Sequence, residues 1–252
     1  MMDGVRRFGW TARRSSVVAG LAAVVVGVSA CGSLGQPRPE IPEGVPPGLG
    51  APTPPIDLDA PGRSADQLLG WAAERSDGLG VGVTALSAYG YAAAVMQRAA
   101  PECGIGWTTL AGIGSVESAH GTHGGATVAP DGSTSPPIRG VPLDGRPGVA
   151  EIPDTDGGEL DGDTEFDRAM GPMQFIPETW RQWGVDANGD GIADPDDIDD
   201  ATLSAARYLC ASGGDLTTPE GWHAALMAYN LSGDYLRLVR DRANAYSVGV
   251  AP

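Results

Sequence analysis

Positive charge is scarce in this 252-residue chain: Lys and Arg number 16 against 32 Asp and Glu, a formal charge of -16. Such a surface repels a phosphate backbone, which argues against nucleic acid as a partner. Long apolar runs are also missing. The longest, Val17 to Ala30, covers about 14 residues, whereas a membrane-spanning helix needs about 20. No segment alternates apolar and polar residues with strand period over a useful length, so a sheet-based domain is not expected. Cysteines are few, at Cys31, Cys103 and Cys210. The length suits one compact domain with a leader and a linker rather than two full domains.

What is present begins with Arg6, Arg7, Arg13 and Arg14, a basic stretch ahead of the short apolar run, as in an export signal. The run ends in Val28-Ser29-Ala30-Cys31, which resembles the lipobox of bacterial lipoproteins. That resemblance implies a lipid on Cys31 and residues 1–31 as a signal peptide with its lipobox cysteine. The protein would then be exported and anchored to the cell membrane, facing the cell wall. An ordinary cleaved signal is the alternative, and Arg13-Arg14 leaves the export route open. Residues 32–63 are rich in Pro and Gly, including Pro46-Pro47 and Pro54-Pro55, and are expected to form an extended, semi-rigid spacer. With Cys31 assigned to lipid, Cys103 and Cys210 remain in a compartment where disulfides persist, and they are expected to pair. In the chain-entropy model, closing a loop of about 107 residues adds on the order of 4 to 5 kcal/mol. Two buried free thiols are the alternative.

Residues 64–252 read as the folded domain. Ser64-Ala65-Asp66-Gln67 has a capping-box pattern ahead of Leu68, Leu69, Trp71 and Ala72. Further helices are expected over Thr84–Ala100, Trp107–Ser118, Pro177–Trp183, Ala201–Ala211, Pro219–Tyr229 and Asp234–Tyr246. The fold class is therefore mainly α. Between Gly121 and Asp167 the chain is rich in Gly, Pro and Asp and lacks helical periodicity. A loop of that length in a compact domain is often a lid or a binding wall; a disordered insertion is the bland reading.

Within Trp107–Ser118, Leu110, Ile113, Gly114 and Glu117 share a face by helical spacing. A carboxyl among apolar side chains is desolvated, its pKa rises, and it keeps its proton closer to neutral pH, as a general acid must. Periodicity alone favours the other reading, a surface glutamate at a fraying helix end. The surrounding motifs change this balance. Glu117-Ser118-Ala119-His120-Gly121, then Arg168 to Pro177 (RAMGPMQFIP) with Thr179-Trp180, then Ala228-Tyr229-Asn230, resemble in order the signatures of lytic murein transglycosylases. The nearest likeness is to the membrane-bound lytic transglycosylase B type in its actinobacterial forms, over roughly Thr84 to Tyr246.

This resemblance implies a lysozyme-like helical domain with a long irregular loop insertion. It also implies peptidoglycan glycan strands as the substrate and Glu117 as the catalytic residue. Such enzymes cut the β-1,4 bond between N-acetylmuramic acid and N-acetylglucosamine without water. The glutamate protonates the leaving oxygen, then takes the proton of the muramic C6 hydroxyl as that oxygen closes onto C1, leaving a 1,6-anhydro end. Gln174, Tyr229 and Asn230 are expected in the cleft near the sugar, and Ser118 beside the glutamate. Where some relatives carry a Ser upstream of the Met-Gln motif, this chain has Glu165.

Two alternatives stand beside that reading. A hydrolytic muramidase needs a second carboxylate, which Asp144, Asp154, Asp161, Asp163 or Asp167 would supply if the long loop covered the cleft. A non-catalytic glycan-binding envelope lipoprotein would keep the fold without the chemistry. Glu117, His120 and His123 lack the His-Glu-x-x-His order of a helical zinc site, and the histidines read as loop or cleft residues. No organic cofactor is expected, and the default is a monomer.

A second motif starts at Asp186. Asp186, Asn188, Asp190, Ile192 (through its carbonyl), Asp194 and Asp197 occupy positions 1, 3, 5, 7, 9 and 12 of an EF-hand-like loop, with Gly191 at the sharp turn. These oxygen donors predict a structural Ca2+. An Asp at position 12, where a longer Glu is usual, weakens the expected affinity, and a solvated acidic turn without metal is the alternative. An EF-hand-like site also belongs to the B-type family that the chain resembles.

Overall fold

The computed structural model describes residues 38–252. The basic and apolar leader and Cys31 lie outside the described residues. Among these residues seven α-helices and one short hairpin follow one another: α1 Leu69–Leu79, α2 Val83–Ala99, α3 Trp107–Ser118, β1 Thr127–Val128, β2 Thr134–Ser135, α4 Pro177–Trp183, α5 Ile198–Gly213, α6 Pro219–Tyr229 and α7 Gly233–Ser247. The domain is mainly α, as expected. Among the described residues no single helix is long and apolar enough to cross a membrane.

The central element is α3. It packs along α7 and also touches α2 and α5, while α5 lies between α2 and α6. Spacing predicts one apolar face for α3, but the helix is covered nearly all round: ten of its twelve residues are buried. Small residues allow this enclosure. A Cβ at Gly112 would lie 2.9 Å from the Val239 carbonyl of α7, and one at Gly114 would overlap the Tyr89 hydroxyl of α2. That hydroxyl lies 3.0 Å from Nδ1 of His120, whose Nε2 lies 2.9 Å from the Tyr246 hydroxyl of α7. His120 is therefore a buried pin between two helices rather than a cleft residue, while His123 is exposed. Burial, with a smaller contribution from Arg242, holds the His120 imidazole down at about 4, so the pin is neutral.

The start of the domain departs from expectation. Ser64 opens a short 3-10 turn, Ser64–Leu68, and no side-chain cap forms there, so the capping box is not realised. Ser64 is buried, and Gln67 reaches instead to the carbonyls of Asp57 and Ser64. Nor do residues 38–63 stand away as a spacer. The compact unit begins at Arg38 rather than at Ser64. The Trp71 and Trp107 indole N–H groups donate to the carbonyls of Pro52 and Ala51, Thr108 donates to Gly48, and Asn244 donates to Gly44. Two edge-on tryptophans give this Pro-rich strap an apolar bed, and proline's missing N–H leaves carbonyls that the indoles satisfy. Arg63 ends the strap in a buried pair with Asp199, its Nε 2.5 Å from Oδ2.

Cys103, in the turn before α3, is bonded to Cys210 on α5, as the cysteine count predicts. The long segment 121–167 is ordered by local side-chain to main-chain bonds rather than by extended strands. Replacing Gly114 with Ala is expected to force the Tyr89 hydroxyl out of the buried chain, at a cost of about 1–3 kcal/mol by urea unfolding; a variant as stable as the parent would show that the contact is not needed.

Candidate active site

Helix α3 ends where its side chains must reach the surface. Ala119 (φ 50) and His120 (φ 62) take left-handed backbone conformations, and their N–H groups close on Ser115 and Gly114. Non-glycine residues adopt this conformation at a cost, and the buried His120 pin holds it. The result leaves Glu117 in the last turn, half-buried, beside a cleft of about 580 Å³. The same cleft is lined by Gln174, Phe175, Ile176, Thr179, Tyr229 and Asn230. Gln174 is also left-handed (φ 52), in the tight Met170–Phe175 hairpin, and its amide donates to the Gly171 carbonyl at 2.9 Å.

Among the described residues, Glu117 is the sole carboxyl lining this cleft. Its Oε1 accepts a 2.6 Å hydrogen bond from the Tyr235 hydroxyl of α7. Burial pushes the Glu117 carboxyl up to about 7, and the Tyr235 bond pulls partly against that rise. The Tyr229 and Tyr235 hydroxyls are raised well above their usual value by burial first and by Glu117 second, so both remain donors. Tyr229 donates to the Met173 carbonyl at 2.7 Å, and its ring packs edge-on against Phe175. It shapes the cleft wall without bonding to Glu117.

Two expectations need correcting. Ser118 does not reach the cleft: it is 1% exposed, donates to the Pro172 carbonyl at 2.6 Å and accepts from Gly121 N–H at 2.7 Å. It ties the end of α3 to the segment before Gln174. Tyr235 takes the place beside the glutamate; no motif pointed to it, although it lies five residues beyond Asn230. The loop does build a wall, through Leu143, Ala150 and Ile152, but none of its candidate carboxylates lines the cleft. Asp154 accepts from Asp156, Gly157 and Gly158 N–H, and Asp163 from Glu165 and Phe166 N–H and from Arg168. These donors hold both carboxyls below the usual range. Asp161 accepts from Asp163 and Arg168 N–H, Asp167 from Thr155, and Asp144 from Arg146 N–H.

Residues 165–240 match the family model for the transglycosylase SLT domain. The match spans less than a third of the chain and includes Gln174, Tyr229, Asn230 and Tyr235; Glu117 and the wall residues 143–152 lie outside it. No curated protein and no solved structure matches. The match supports a lytic transglycosylase family acting on peptidoglycan strands, and the helical domain is of the lysozyme-like type.

The EF-hand-like loop connects α4 to α5. Asp186 accepts from Gly189 and Gly191 N–H, Asn188 Oδ1 from Asp190 N–H, and Asp190 from Ile192 N–H. These bonds wind the chain into a tight acidic turn whose residue types suit a hard cation, but the carboxylates that lie within 4.8 Å of one another among the described residues are those of Asp154, Asp156 and Asp167, outside this turn. Asp197 is used differently from the expectation. It caps α5 by accepting from Asp199 and Asp200 N–H, while its other oxygen accepts from Asn188. Asp200, which the spacing does not single out, clamps the loop through Ala187, Asn188 and Asp194 N–H.

The folded Glu117 value of about 7 lies above its ordinary 4.5, so the folded state holds this proton more tightly. Its ionisation thus costs stability in full above about pH 7, and the cost vanishes as pH falls to 4.5. Glu117→Gln is expected to stabilise the protein at pH 8 by on the order of 2 kcal/mol, discounted for partial exposure, and by almost nothing at pH 4.5. Urea titrations at both pH values check this. Tyr235→Phe is expected to move the Glu117 midpoint above about 7, read by carboxyl NMR.

Proposed function

We propose that the chain is a peptidoglycan lytic transglycosylase that cleaves the β-1,4 bond between N-acetylmuramic acid and N-acetylglucosamine and leaves 1,6-anhydro ends, in wall remodelling or turnover. One observation carries this reading: a single carboxyl, poised near neutral pH, lines the cleft. In the protonated state Glu117 gives its proton to the leaving glycosidic oxygen. The resulting carboxylate then accepts the proton of the muramic C6 hydroxyl, whose oxygen bonds to C1. The proton lost in the first half returns in the second, so no water and no second carboxylate are needed. Because Oε1 is held by Tyr235, Oε2 is the oxygen free to carry this proton. Gln174 and Asn230 supply amides at the rim, where glycan hydroxyls and acetamido groups need partners.

Hydrolysis by a retaining or inverting route would need a partner carboxylate about 5 to 9.5 Å away. The loop aspartates are committed to main-chain N–H groups and do not line the cleft, which favours the non-hydrolytic route. The likeness to the B type, the lipid on Cys31 and the place at the outer face of the cell membrane rest on the sequence motifs and belong to the same proposal. So does a structural Ca2+ held by Asp186, Asn188, Asp190, Asp194 and the Ile192 carbonyl, with Asp197 contributing less directly. The ion would neutralise the clustered carboxylates of the turn and play no part in proton transfer.

Mass spectrometry of soluble fragments released from sacculi should show 1,6-anhydromuramic ends; reducing ends, heavier by one water, would instead indicate hydrolysis. Glu117→Gln should lower the rate by at least about 100-fold while leaving glycan binding intact. Saturating calcium should raise the melting temperature of metal-free protein by about 5 to 10 °C, an effect lost in Asp186→Ala. No shift would remove the metal from the account.

A further inference from the structure

Arg139 does not line the cleft and lies outside the residues that match the transglycosylase family, yet its main chain leads directly to Gln174. The segment 138–140 runs beside the stretch that enters the Met170–Phe175 hairpin. Gly171 N–H donates to the Ile138 carbonyl at 2.9 Å, Gly140 N–H donates to the Ala169 carbonyl at 2.8 Å, and Arg139 faces Met170 across an antiparallel bridge. Met170 in turn exchanges two main-chain bonds with Phe175, at 2.8 and 3.0 Å, which close the hairpin that holds Gln174. The Gln174 side chain also approaches this segment: its Oε1 would be 3.3 Å from a Cβ at Gly140.

Gln174 needs such support. Its left-handed backbone (φ 52) costs energy in a residue that has a Cβ, and it persists only where the surroundings fix it. The Arg139 guanidinium supplies an anchor. Nη1 and Nη2 donate to Oδ1 and Oδ2 of Asp196 at 2.7 and 2.8 Å, Nη2 also donates to the Leu160 carbonyl at 3.1 Å, and Nη1 to the Ile138 carbonyl at 3.0 Å. The two side chains are only 23% and 16% exposed, so water and salt screen this two-pronged pair less than a surface pair. Asp196 belongs to the acidic turn before α5, and its carbonyl accepts from Thr134 N–H at 2.9 Å. The hairpin presses on the same turn, since a Cβ at Gly171 (φ 69) would overlap the Pro195 carbonyl. Hairpin, segment 138–140 and acidic turn therefore form one connected unit, with Arg139 as its charged tie.

We propose that Arg139 is a positioning residue for the cleft: by pairing with Asp196 it fixes segment 138–140 against the acidic turn and so holds the strained hairpin that presents Gln174 to the glycan. The proposal rests on the glycan-cleaving reading above for the substrate, and on the hydrogen bonds alone for the coupling. Glu117 stands on α3, enclosed by α2 and α7, and takes its hydrogen bond from Tyr235 of α7. Loss of the Arg139 tie thus weakens binding through Gln174 while proton transfer at Glu117 continues.

Two readouts on the full chain test this. Hydrogen exchange reads the coupling without substrate: in Arg139→Gln, protection of the Met170 and Phe175 amides should fall by about 10-fold, while amides in the middle of α3 exchange as in the parent. Steady-state cleavage of soluble, peptide-free glycan strands reads the consequence: KM should rise by about 3- to 10-fold, the loss of one well-placed hydrogen bond, with kcat within about 2-fold of the parent. In a Gln174→Ala background Arg139→Gln should raise KM no further, because the group it positions is gone. Asp196→Asn, which breaks the pair from the other side, should match Arg139→Gln, and Arg139→Lys, which lacks the planar fork, should fall between that variant and the parent. Either takes the place of Arg139→Gln if that chain does not fold. A purely structural role would lower kcat through loss of folded protein and leave KM alone. Unchanged protection of the two hairpin amides, or a KM rise that adds to that of Gln174→Ala, overturns the positioning role and leaves the glycan reading standing. A parent that cleaves no glycan overturns the glycan reading and the presentation of Gln174 with it, whatever the exchange experiment gives.

Discussion

Holding an ionisable acid away from water at the end of a buried helix is the constraint on which the rest of this structure depends. Glu117 is pulled two ways, out of water by burial and toward the open cleft that it lines. The packing of α3 resolves that conflict. Glycines let α7 and α2 close over the helix body, the left-handed pair Ala119–His120 ends it abruptly, and the final turn emerges at the cleft. Tyr235 reaches the carboxylate from the protein side, on the same helix that covers α3. One interface therefore stabilises the domain and tunes its acid.

The surroundings of the cleft follow from the same frame. Ser118 fastens the end of α3 to the segment before Gln174, so Glu117 and Gln174 share a common support. Tyr229 braces that segment through Met173. The loop aspartates, which composition offers as catalytic candidates, hold main-chain N–H groups in place of regular strands. A segment with so little helical or strand character still forms a wall because many of its turns are closed by carboxylates that accept from main-chain N–H groups.

Much of this was legible in the sequence. Periodicity and proline placement located α3, α4 and α6 to the residue, and the motifs at Glu117, Gln174 and Asn230 proved to surround one cleft. What periodicity could not show was enclosure, since a helix buried on all sides gives no clean apolar stripe. Nor could composition show that the Pro-rich segment lies down on the domain; its partners Trp71, Trp107 and Asn244 are distant in the chain. Tyr235 was illegible because its role depends on how α7 crosses α3, a tertiary fact with no local signature. The same holds for Asp200, which the twelve-residue loop pattern does not include.

The neutral His120 pin has a consequence for how the domain meets acid. Its imidazole titrates at about 4 when folded, against 6.5 ordinarily, so lowering the pH through that interval works against the folded state. Glu117 does the opposite over nearly the same interval, since its folded value lies above its ordinary one. The two proton inventories, one short by a proton and one long by a proton, largely compensate. Glu117, in the cleft, strains the fold when it is charged at higher pH, and His120, three residues on, strains it when it is charged at lower pH.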